Sequence, residues 1–145
     1  MDLKLNEKTA LVSGSTKGIG FAIAIGLARE GARVIVNGRS EKAVAEAKAQ
    51  IDKTVPDARI ESYAGDLSTT AATETLFQRF PLVDILVNNL GIFEPKAFED
   101  ICDENWRRFF DVNVLSGVRL SRAYLPRHEA TELGAHCFHQ QRERD

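Results

Sequence analysis

A glycine-rich turn joins a short apolar strand pattern to a long helical pattern, and it restricts the fold more than any other feature of the chain. The preceding run Thr9-Ala10-Leu11-Val12 is apolar and β-branched, and the turn itself reads Ser13-Gly14-Ser15-Thr16-Lys17-Gly18-Ile19-Gly20. Gly14 can adopt a positive φ, and neither Gly18 nor Gly20 has a Cβ to hold a pyrophosphate away from the backbone. The sequence therefore predicts an anion-binding turn between a strand and a helix.

The pattern after the turn alternates helices with strands. Apolar residues recur at helical spacing from Ile19 to Leu27, Gly31 suits a left-handed C-cap, and Val34-Ile35-Val36 follows as a strand. We predict strands near 8–13, 33–37, 59–64 and 83–88, and helices near 19–30, 41–54, 69–80 and 104–125, the last one interrupted. This order is typical of the α/β class, here a partial Rossmann-type, doubly wound parallel sheet of about four strands with helices on both faces.

Composition argues against several classes of partner. The chain has 145 residues, of which 43% are hydrophobic, and a formal net charge of −2. We expect no nucleic-acid partner, and no stretch approaches the roughly 20 apolar residues that span a bilayer, so we also expect no membrane partner and a cytoplasmic location. Cys102 and Cys137 lack metal-ligand spacing and suggest no disulfide framework, so no metal site is predicted.

Polar or glycine-rich segments follow the second, third and fourth predicted strands. They read Asn37-Gly38-Arg39-Ser40, Gly65-Asp66-Leu67-Ser68 and Asn88-Asn89-Leu90-Gly91. Each one alone is typical of an ordinary solvated turn. Because the carboxyl ends of parallel strands meet at one edge of the sheet, we predict that the three segments and the glycine turn share one ligand site.

In combination these motifs resemble the short-chain dehydrogenase/reductase family over residues 5 to 126. Residues 13–20 match the family's TGxxxGxG turn with Ser13 in place of threonine, and residues 88–91 match its NNAG with the bulkier Leu90 in place of alanine. The resemblance implies that Asp66 meets the adenine ring, that Asn89 and Gly91 hold the nicotinamide-side ribose, and that Asn113 supports a proton relay. The full implied cofactor-binding set is Gly14, Ser15, Thr16, Lys17, Gly18, Ile19, Gly20, Arg39, Asp66, Leu67, Asn89 and Gly91.

Charge at the end of the second strand predicts the cofactor preference. Members of the family that select NAD resemble one another in placing an acid where this chain has Gly38. Arg39 follows at once, and Lys17 lies inside the glycine turn, so two cations could converge on a 2′-phosphate. We therefore predict a preference for NADP(H), with NAD(H) as the alternative cofactor and solvated surface charges as the alternative role of both residues.

The catalytic group that the resemblance implies is incomplete. The family uses a tyrosine and a lysine four residues later, together with a serine after the fifth strand, to exchange a proton with the substrate oxygen. The only tyrosines are Tyr63 and Tyr124, and four residues after them stand Leu67 and His128. Asn113 is therefore the only member of the catalytic group that remains, and we expect the 145-residue chain to be inactive alone.

Composition changes after Pro126. All three histidines, His128, His136 and His139, follow it, and residues 127–145 lack a convincing helix or strand period. We predict an incomplete NAD(P)-binding domain over 1–126 and a disordered tail, unrelated to the family, over 127–145. A metal site at His136-Cys137-Phe138-His139 is the less favoured alternative, because a preorganised ligand set is not evident.

A shifted reading frame offers an origin for this tail. The codons permitted for residues 132–144, read one nucleotide forward, can encode Asn-Trp-Gly-Arg-Ile-Val-Phe-Ile-Ser-Ser-Glu-Ser. That string resembles the fifth strand and catalytic serine of the family, at the place where they should occur. We therefore hypothesise that the tail is frameshifted.

The resemblance implies an oxidoreductase that interconverts a carbonyl and an alcohol with NAD(P)H, here truncated before its catalytic tyrosine and lysine. The alternatives are a non-catalytic NADP(H)-binding module, a remnant without function, and a half-enzyme that a separate chain completes.

The fourth strand would lack its usual neighbour, so Ile85-Leu86-Val87 should form an exposed edge. We predict self-association through this edge and through the last helix, near Val114, Leu115, Val118 and Leu120.

Overall fold

A computed structural model describes residues 3–131 and 135–138 of the chain. Its strands are β1 (Thr9–Val12), β2 (Arg33–Gly38), β3 (Arg59–Ala64), β4 (Ile85–Asn88) and β5 (Ala135–Phe138). Its helices are α1 (Gly18–Arg29), α2 (Glu41–Thr54), α3 (Thr70–Arg79), α4 (Asp103–Phe110) and α5 (Ser116–Thr131), with a 3₁₀ turn at Phe98–Asp100 and a π-helical turn at Asp111–Leu115 between α4 and α5. The four strands and four helical regions predicted from the sequence are confirmed, with ends that differ by a few residues except at the end of α5.

The described strands form one parallel sheet in the order β3-β2-β1-β4-β5. Leu11 of β1 lies between Ile35 of β2 and Leu86 of β4. The chain winds from β1 through β2 to β3 on one side of β1, and then crosses to β4 on the other side. This reversal leaves the carboxyl ends of β1 and β4 beside a crevice, which is where open α/β sheets bind ligands.

Alternate residues of the strands bury two separate cores, one on each face of the sheet. Val12 and Val34 pack with Ala24 of α1 and Ile51 of α2. On the opposite face, Leu11, Ile35 and Leu86 pack with Leu76 of α3, and with Leu120 and Tyr124 of α5. The parallel sheet is therefore covered by helices on both faces, as the sequence predicts.

Two described stretches after residue 126 correct the expectation that this segment has no regular structure. Helix α5 continues through Pro126 to Thr131. Tyr124 and His128 lie one turn apart in it, both are buried, and they contact the carbonyl oxygens of Phe80 and Val83, which holds the last turns against the sheet. The division of the chain at residue 126 is untested and remains a prediction.

Strand β5 also corrects the expectation that β4 is an exposed edge. Ala135 pairs with Ile85 and Phe138 with Asn88, in a parallel register. The sequence Ala-His-Cys-Phe has no strand period of its own, but β4 offers a row of backbone donors and acceptors that a neighbouring extended segment can satisfy. Among the described strands the sheet therefore ends at β5 and not at β4. The remaining tail residues, 132–134 and 139–145, lie outside the described part of the chain.

Candidate cofactor site

The glycine turn presents the N-terminus of α1 to solvent without a side-chain cap. Gly14 has a φ of +61°, as the sequence predicts, and a Cβ at Gly20 would lie 2.3 Å from Asn89 Nδ2. The residue before α1, Lys17, has no acceptor in its side chain and makes no capping hydrogen bond, and the first turn of α1 contains no acid. By contrast, Ser40 caps α2 and Thr69 caps α3 through their hydroxyl oxygens, and α4, which also lacks a side-chain cap, carries two acids in its first turn. The unsatisfied amide groups and the helix dipole therefore make α1 the helix end suited to an anion.

Ser13 connects the glycine turn to the end of β4. Its Oγ accepts hydrogen bonds from the backbone amides of Asn89 and Leu90, both at 3.0 Å, and donates to the carbonyl of Val87 at 3.3 Å. Ser13 is 1% exposed. A single hydroxyl thus satisfies two amides at the point where β4 becomes the next loop. The match of Ser13 to the threonine of the family turn identified the residue type, but it did not predict that the hydroxyl supports two amides at the end of β4.

Asn89 holds the turn from the other side. Its Nδ2 donates to the carbonyl oxygens of Ser13 at 3.1 Å and Gly14 at 3.0 Å. The side chain is buried, and its Oδ1 has no hydrogen-bond partner among the described residues. Leu90 packs against the core under α3 and α5. Direct contact between Asn89 and a ribose remains a prediction, whereas its contacts in the structure fix the shape of the glycine turn.

Asn37 supports the glycine turn from the end of β2, a role that the sequence analysis did not assign to it. Its Oδ1 accepts from the amide of Gly14 at 3.1 Å, and its Nδ2 donates to the carbonyls of Tyr63 at 3.2 Å and Gly65 at 3.1 Å. Its backbone amide also donates to Ser15 Oγ at 2.9 Å. Asn37 therefore fixes the ends of β1, β2 and β3 relative to one another. A polar residue inside an otherwise apolar strand was the only sequence signal for this function.

Asn113 lies in the π-helical turn and closes the loop after β4. Its Oδ1 accepts from the Ile92 amide at 2.7 Å, and its Nδ2 donates to the Ile92 carbonyl at 3.1 Å. A Cβ at Gly91 would approach Asn113 Oδ1 to 3.2 Å. The structure thus brings Asn113 beside Gly91. Its participation in a proton relay remains a prediction.

Asp66 and Leu67 occupy the loop after β3 in different ways. Asp66 is exposed, and its Oδ1 accepts from the amide and the hydroxyl of Ser68 at 3.0 and 2.7 Å. Leu67 is 1% exposed and belongs to the core, so its side chain is remote from solvent. Arg119 donates to the Ser68 carbonyl at 2.5 Å and to Asp111 Oδ1 at 3.3 Å. This arginine connects the Asp66 loop to the helix turn that carries Asn113.

Lys17 and Arg39 are exposed cations on neighbouring loops of the same edge. The two loops touch, because a Cβ built on Gly38 would lie 2.4 Å from Thr16 Cγ2. Within the described residues neither cation forms an ion pair or a hydrogen bond with the protein, and no carboxylate follows β2 directly. Both side chains are therefore available to an anionic ligand.

Two cavities in the described part of the chain lie away from this edge. One, of about 230 Å³, lies between α3 and α5, and the other, of about 190 Å³, lies between α4 and the loop before it.

The described residues contain no group of three or more potential metal ligands. His128 is buried with its Nε2 2.5 Å from the Val83 carbonyl. The side chains of the alternative metal site at 136–139 lie outside the description. Nowhere in the described part of the chain is a helix both long and apolar enough to cross a membrane.

The chain is similar in sequence to short-chain dehydrogenases and to other oxidoreductases. The family model of the short chain dehydrogenase matches residues 8–135. The chain is 54% identical over 125 residues to the uncharacterized oxidoreductase YvaG of Bacillus subtilis, covering 86% of this chain and 47% of that one. It is 40% identical over 126 residues to D-beta-hydroxybutyrate dehydrogenase of Cupriavidus necator, covering 84% and 48%.

Solved structures agree with this assignment. L-sorbose reductase of Gluconobacter frateurii, complexed with NADPH and L-sorbose, has a TM-score of 0.85 and 32% identity, with 95% of this chain and 54% of that chain covered. The 3-oxoacyl (acyl-carrier-protein) reductase of Agrobacterium tumefaciens C58 with NADP bound has a TM-score of 0.83 and 33% identity, with 92% and 52% covered. The chain spans about half the length of the curated relatives it matches. The match over residues 8–135, together with these relatives, shows that the chain belongs to the short-chain dehydrogenase family.

Proposed function

We propose that this chain is the cofactor-binding portion of an oxidoreductase that interconverts a carbonyl and an alcohol with NADP(H), and that alone it binds the nucleotide without turnover. The observation that carries the proposal is the anion site at the uncapped start of α1, flanked by Lys17 and Arg39. Bound NADPH would supply the hydride for the reaction. The protein must bind the nucleotide, orient it, and exchange a proton with the substrate. In the proposal this chain has residues for binding and orientation but none for the proton exchange.

The basic residues favour a 2′-phosphate over free ribose hydroxyls. Arg39 offers a planar fork that matches phosphate oxygens, and Lys17 adds a second positive charge from the glycine turn. Gly38 places no carboxylate at the end of β2 to repel the phosphate. The NADPH-bound and NADP-bound relatives of similar fold also support this preference. Asp66 would meet the adenine, and the nicotinamide-side ribose would lie near Asn89 and Gly91.

The proton donor is the missing part of the machinery. The hydroxyl of Tyr63 donates to the carbonyl of Ala72 at 2.7 Å, and the hydroxyl of Tyr124 donates to that of Phe80 at 2.9 Å. Burial raises the pKa of both tyrosines above the ordinary value, which opposes loss of their protons. Neither is followed by a lysine four residues later. Loss of the general acid alone removes on the order of 10²- to 10⁴-fold in rate.

Titration calorimetry of the 145-residue chain with NADPH and NADH tests the binding proposal. We expect NADPH to bind more tightly, and Arg39→Asp to reverse the order by placing a carboxylate where the 2′-phosphate would lie. Arg29→Asp is the matched control, because it makes the same charge change at the far end of α1 and should leave the order unchanged. Equal affinity of the unmodified chain for both nucleotides would refute the roles of Lys17 and Arg39.

The coding DNA tests the proposed frameshift. Strand β5 occupies residues 135–138, which are the positions that the shifted reading would translate as Arg-Ile-Val-Phe, and this coincidence supports the hypothesis. A downstream frame that contains Tyr-x-x-x-Lys would support truncation of an active ancestor. Saturable NADPH binding without such a frame would favour the non-catalytic binding module, and an unfolded purified chain would favour a remnant. Activity restored by a separately expressed C-terminal chain would favour a half-enzyme.

Self-association through the last helical region is a second proposal. Leu120, one of the residues predicted for this surface, is instead buried in the core and contributes nothing to it. Trp106, Phe110, Val114 and Val118 are 55%, 55%, 44% and 37% exposed, and they follow one another at intervals of four residues across α4, the π-helical turn and α5. Such a run of exposed apolar side chains is unusual on a monomer. Light scattering that gives a monomer at high concentration would contradict it. The cytoplasmic location stays a prediction.

A further inference from the structure

We propose that Thr16 is a specificity-determining residue, because its methyl group occupies the space in which a side chain at position 38 would begin. The end of β2 then cannot carry the carboxylate that would receive the ribose hydroxyls of NAD(H). This inference rests on the proposed cofactor site and deepens it, since it gives Thr16 a steric part in the preference that Lys17 and Arg39 supply by charge.

Packing, and not backbone conformation, requires glycine at position 38. A Cβ there would lie 2.4 Å from Thr16 Cγ2 and 3.2 Å from Val44 Cγ1. Gly38 is not among the described glycines with a positive φ, so a side chain would meet no backbone strain. Val44 is 1% exposed, so the space cannot open on the side of α2 without disturbing the core.

Hydrogen bonds prevent the two loops from separating to make room. The Gly38 carbonyl accepts from the Gly65 amide at 2.9 Å. One residue earlier, the Asn37 carbonyl accepts from the Ser15 amide at 2.8 Å, and the Asn37 amide donates to Ser15 Oγ. Thr16 follows Ser15 directly. These bonds fix the backbones of the two loops on both sides of the contact between Thr16 and Gly38.

The consequence is a coupling between two positions that are far apart in sequence. Arg39 becomes the first residue after β2 whose side chain can reach the ligand, and an acid cannot be introduced at 38 while Thr16 is present. Serine at position 16 would remove the methyl group and leave the hydroxyl oxygen, which lies 3.4 Å from the added Cβ, an ordinary contact distance.

Thermal unfolding measures the steric part without any cofactor. Gly38→Ala adds only the Cβ, and we expect it to lower Tm on the order of 5 °C, as overpacking does in a chain of this size. Thr16→Ser alone should change Tm much less, and the double variant Thr16→Ser/Gly38→Ala should recover most of the loss. An unchanged Tm in Gly38→Ala, or equal losses in the single and double variants, would overturn the packing argument.

Nucleotide titration measures the specificity part. We expect Gly38→Asp alone to gain no affinity for NADH, and Thr16→Ser/Gly38→Asp to gain on the order of tenfold, the value of a charged hydrogen bond to a ribose hydroxyl. A gain in Gly38→Asp alone would overturn the proposal, because it would mean that Thr16 rotates away. If the Tm losses are coupled as predicted but neither Gly38→Asp nor Thr16→Ser/Gly38→Asp gains affinity for NADH, Thr16 has a packing role only and the specificity role is overturned. If the unmodified chain binds neither nucleotide, both the proposed function and the specificity role fail, while the Tm cycle still reports on the packing.

Discussion

Replacing Ser13 by alanine should destabilise the chain more than the loss of one hydroxyl group normally does. The change removes the acceptor of two amides, those of Asn89 and Leu90. The Val87 carbonyl keeps its other partner, the Ser13 amide at 3.1 Å, so it adds little to the cost. Each orphaned buried amide costs about 1–3 kcal/mol, and Leu90 is only partly buried, so we expect a total loss of about 2–4 kcal/mol.

Urea unfolding followed by circular dichroism measures this loss. Ser116→Ala is the matched control, because Ser116 is 2% exposed and its hydroxyl donates to the Val112 carbonyl without accepting from an amide of the described residues, so no described amide is orphaned. We expect Ser116→Ala to cost less than about 1 kcal/mol. Ser13→Thr retains the hydroxyl and should be more stable than Ser13→Ala. Equal losses for Ser13→Ala and Ser116→Ala would refute the argument that Ser13 supports the end of β4.

Two further predictions concern the last part of the chain and alkaline pH. A chain that ends at Thr131 lacks β5 and exposes the backbone edge of β4 (Ile85–Asn88), so its unfolding midpoint should fall and its tendency to associate should rise; an unchanged midpoint by thermal scan would contradict the pairing. The pKa of Tyr124 is raised by burial, so the stability it contributes is fully present below the unfolded-state value of 10.0 and is lost as pH rises above it. At neutral pH, Tyr124→Phe should unfold at a lower urea concentration than the unmodified chain, because the Phe80 carbonyl loses its hydrogen-bond donor. Between neutral and strongly alkaline pH, however, Tyr124→Phe should lose less stability than the unmodified chain, because it has no hydroxyl to ionise at this position.

The arrangement of the glycine turn and the neighbouring loops at the carboxyl ends of the strands was predictable because its sequence signals are local. A strand, a glycine turn and a helix start within 20 residues of one another, and the conformation of Gly14 follows from its residue type. The segments after β2, β3 and β4 could be assigned to one edge because parallel strands align their carboxyl ends. Structural features that depend on residues close together in sequence could therefore be predicted from the sequence.

The functions of Ser13 and Asn37 were not predictable from local pattern. The Ser13 hydroxyl accepts from amides 76 and 77 positions away, and the Asn37 side chain bonds groups from 23 to 28 positions away. A serine and an asparagine near turns are typical of solvated loops. The one sequence signal, a polar Asn37 in an otherwise apolar strand, did not identify its long-range partners.

Strand β5 shows the same limit more strongly. Its sequence has no strand period, and its conformation follows from the pairing that β4 offers. The helix that precedes it likewise passes a proline because Tyr124 and His128 contact carbonyl groups of the loop before β4. Tertiary hydrogen bonds thus determine the structure of this segment where local propensity predicted none.

In the proposed function, the chain binds NADPH but has no proton donor for turnover. The most direct test follows the fluorescence of NADPH in one sample to which the protein and then carbonyl substrates are added. The purified 145-residue chain is added first, and a panel of ketones and aldehydes follows. We predict a saturable change in NADPH fluorescence on adding the protein, and then no carbonyl-dependent loss of NADPH above the protein-free rate. Absence of the first change would contradict the cofactor site, and rapid consumption of NADPH after the second addition would contradict the claim that the chain lacks its catalytic acid.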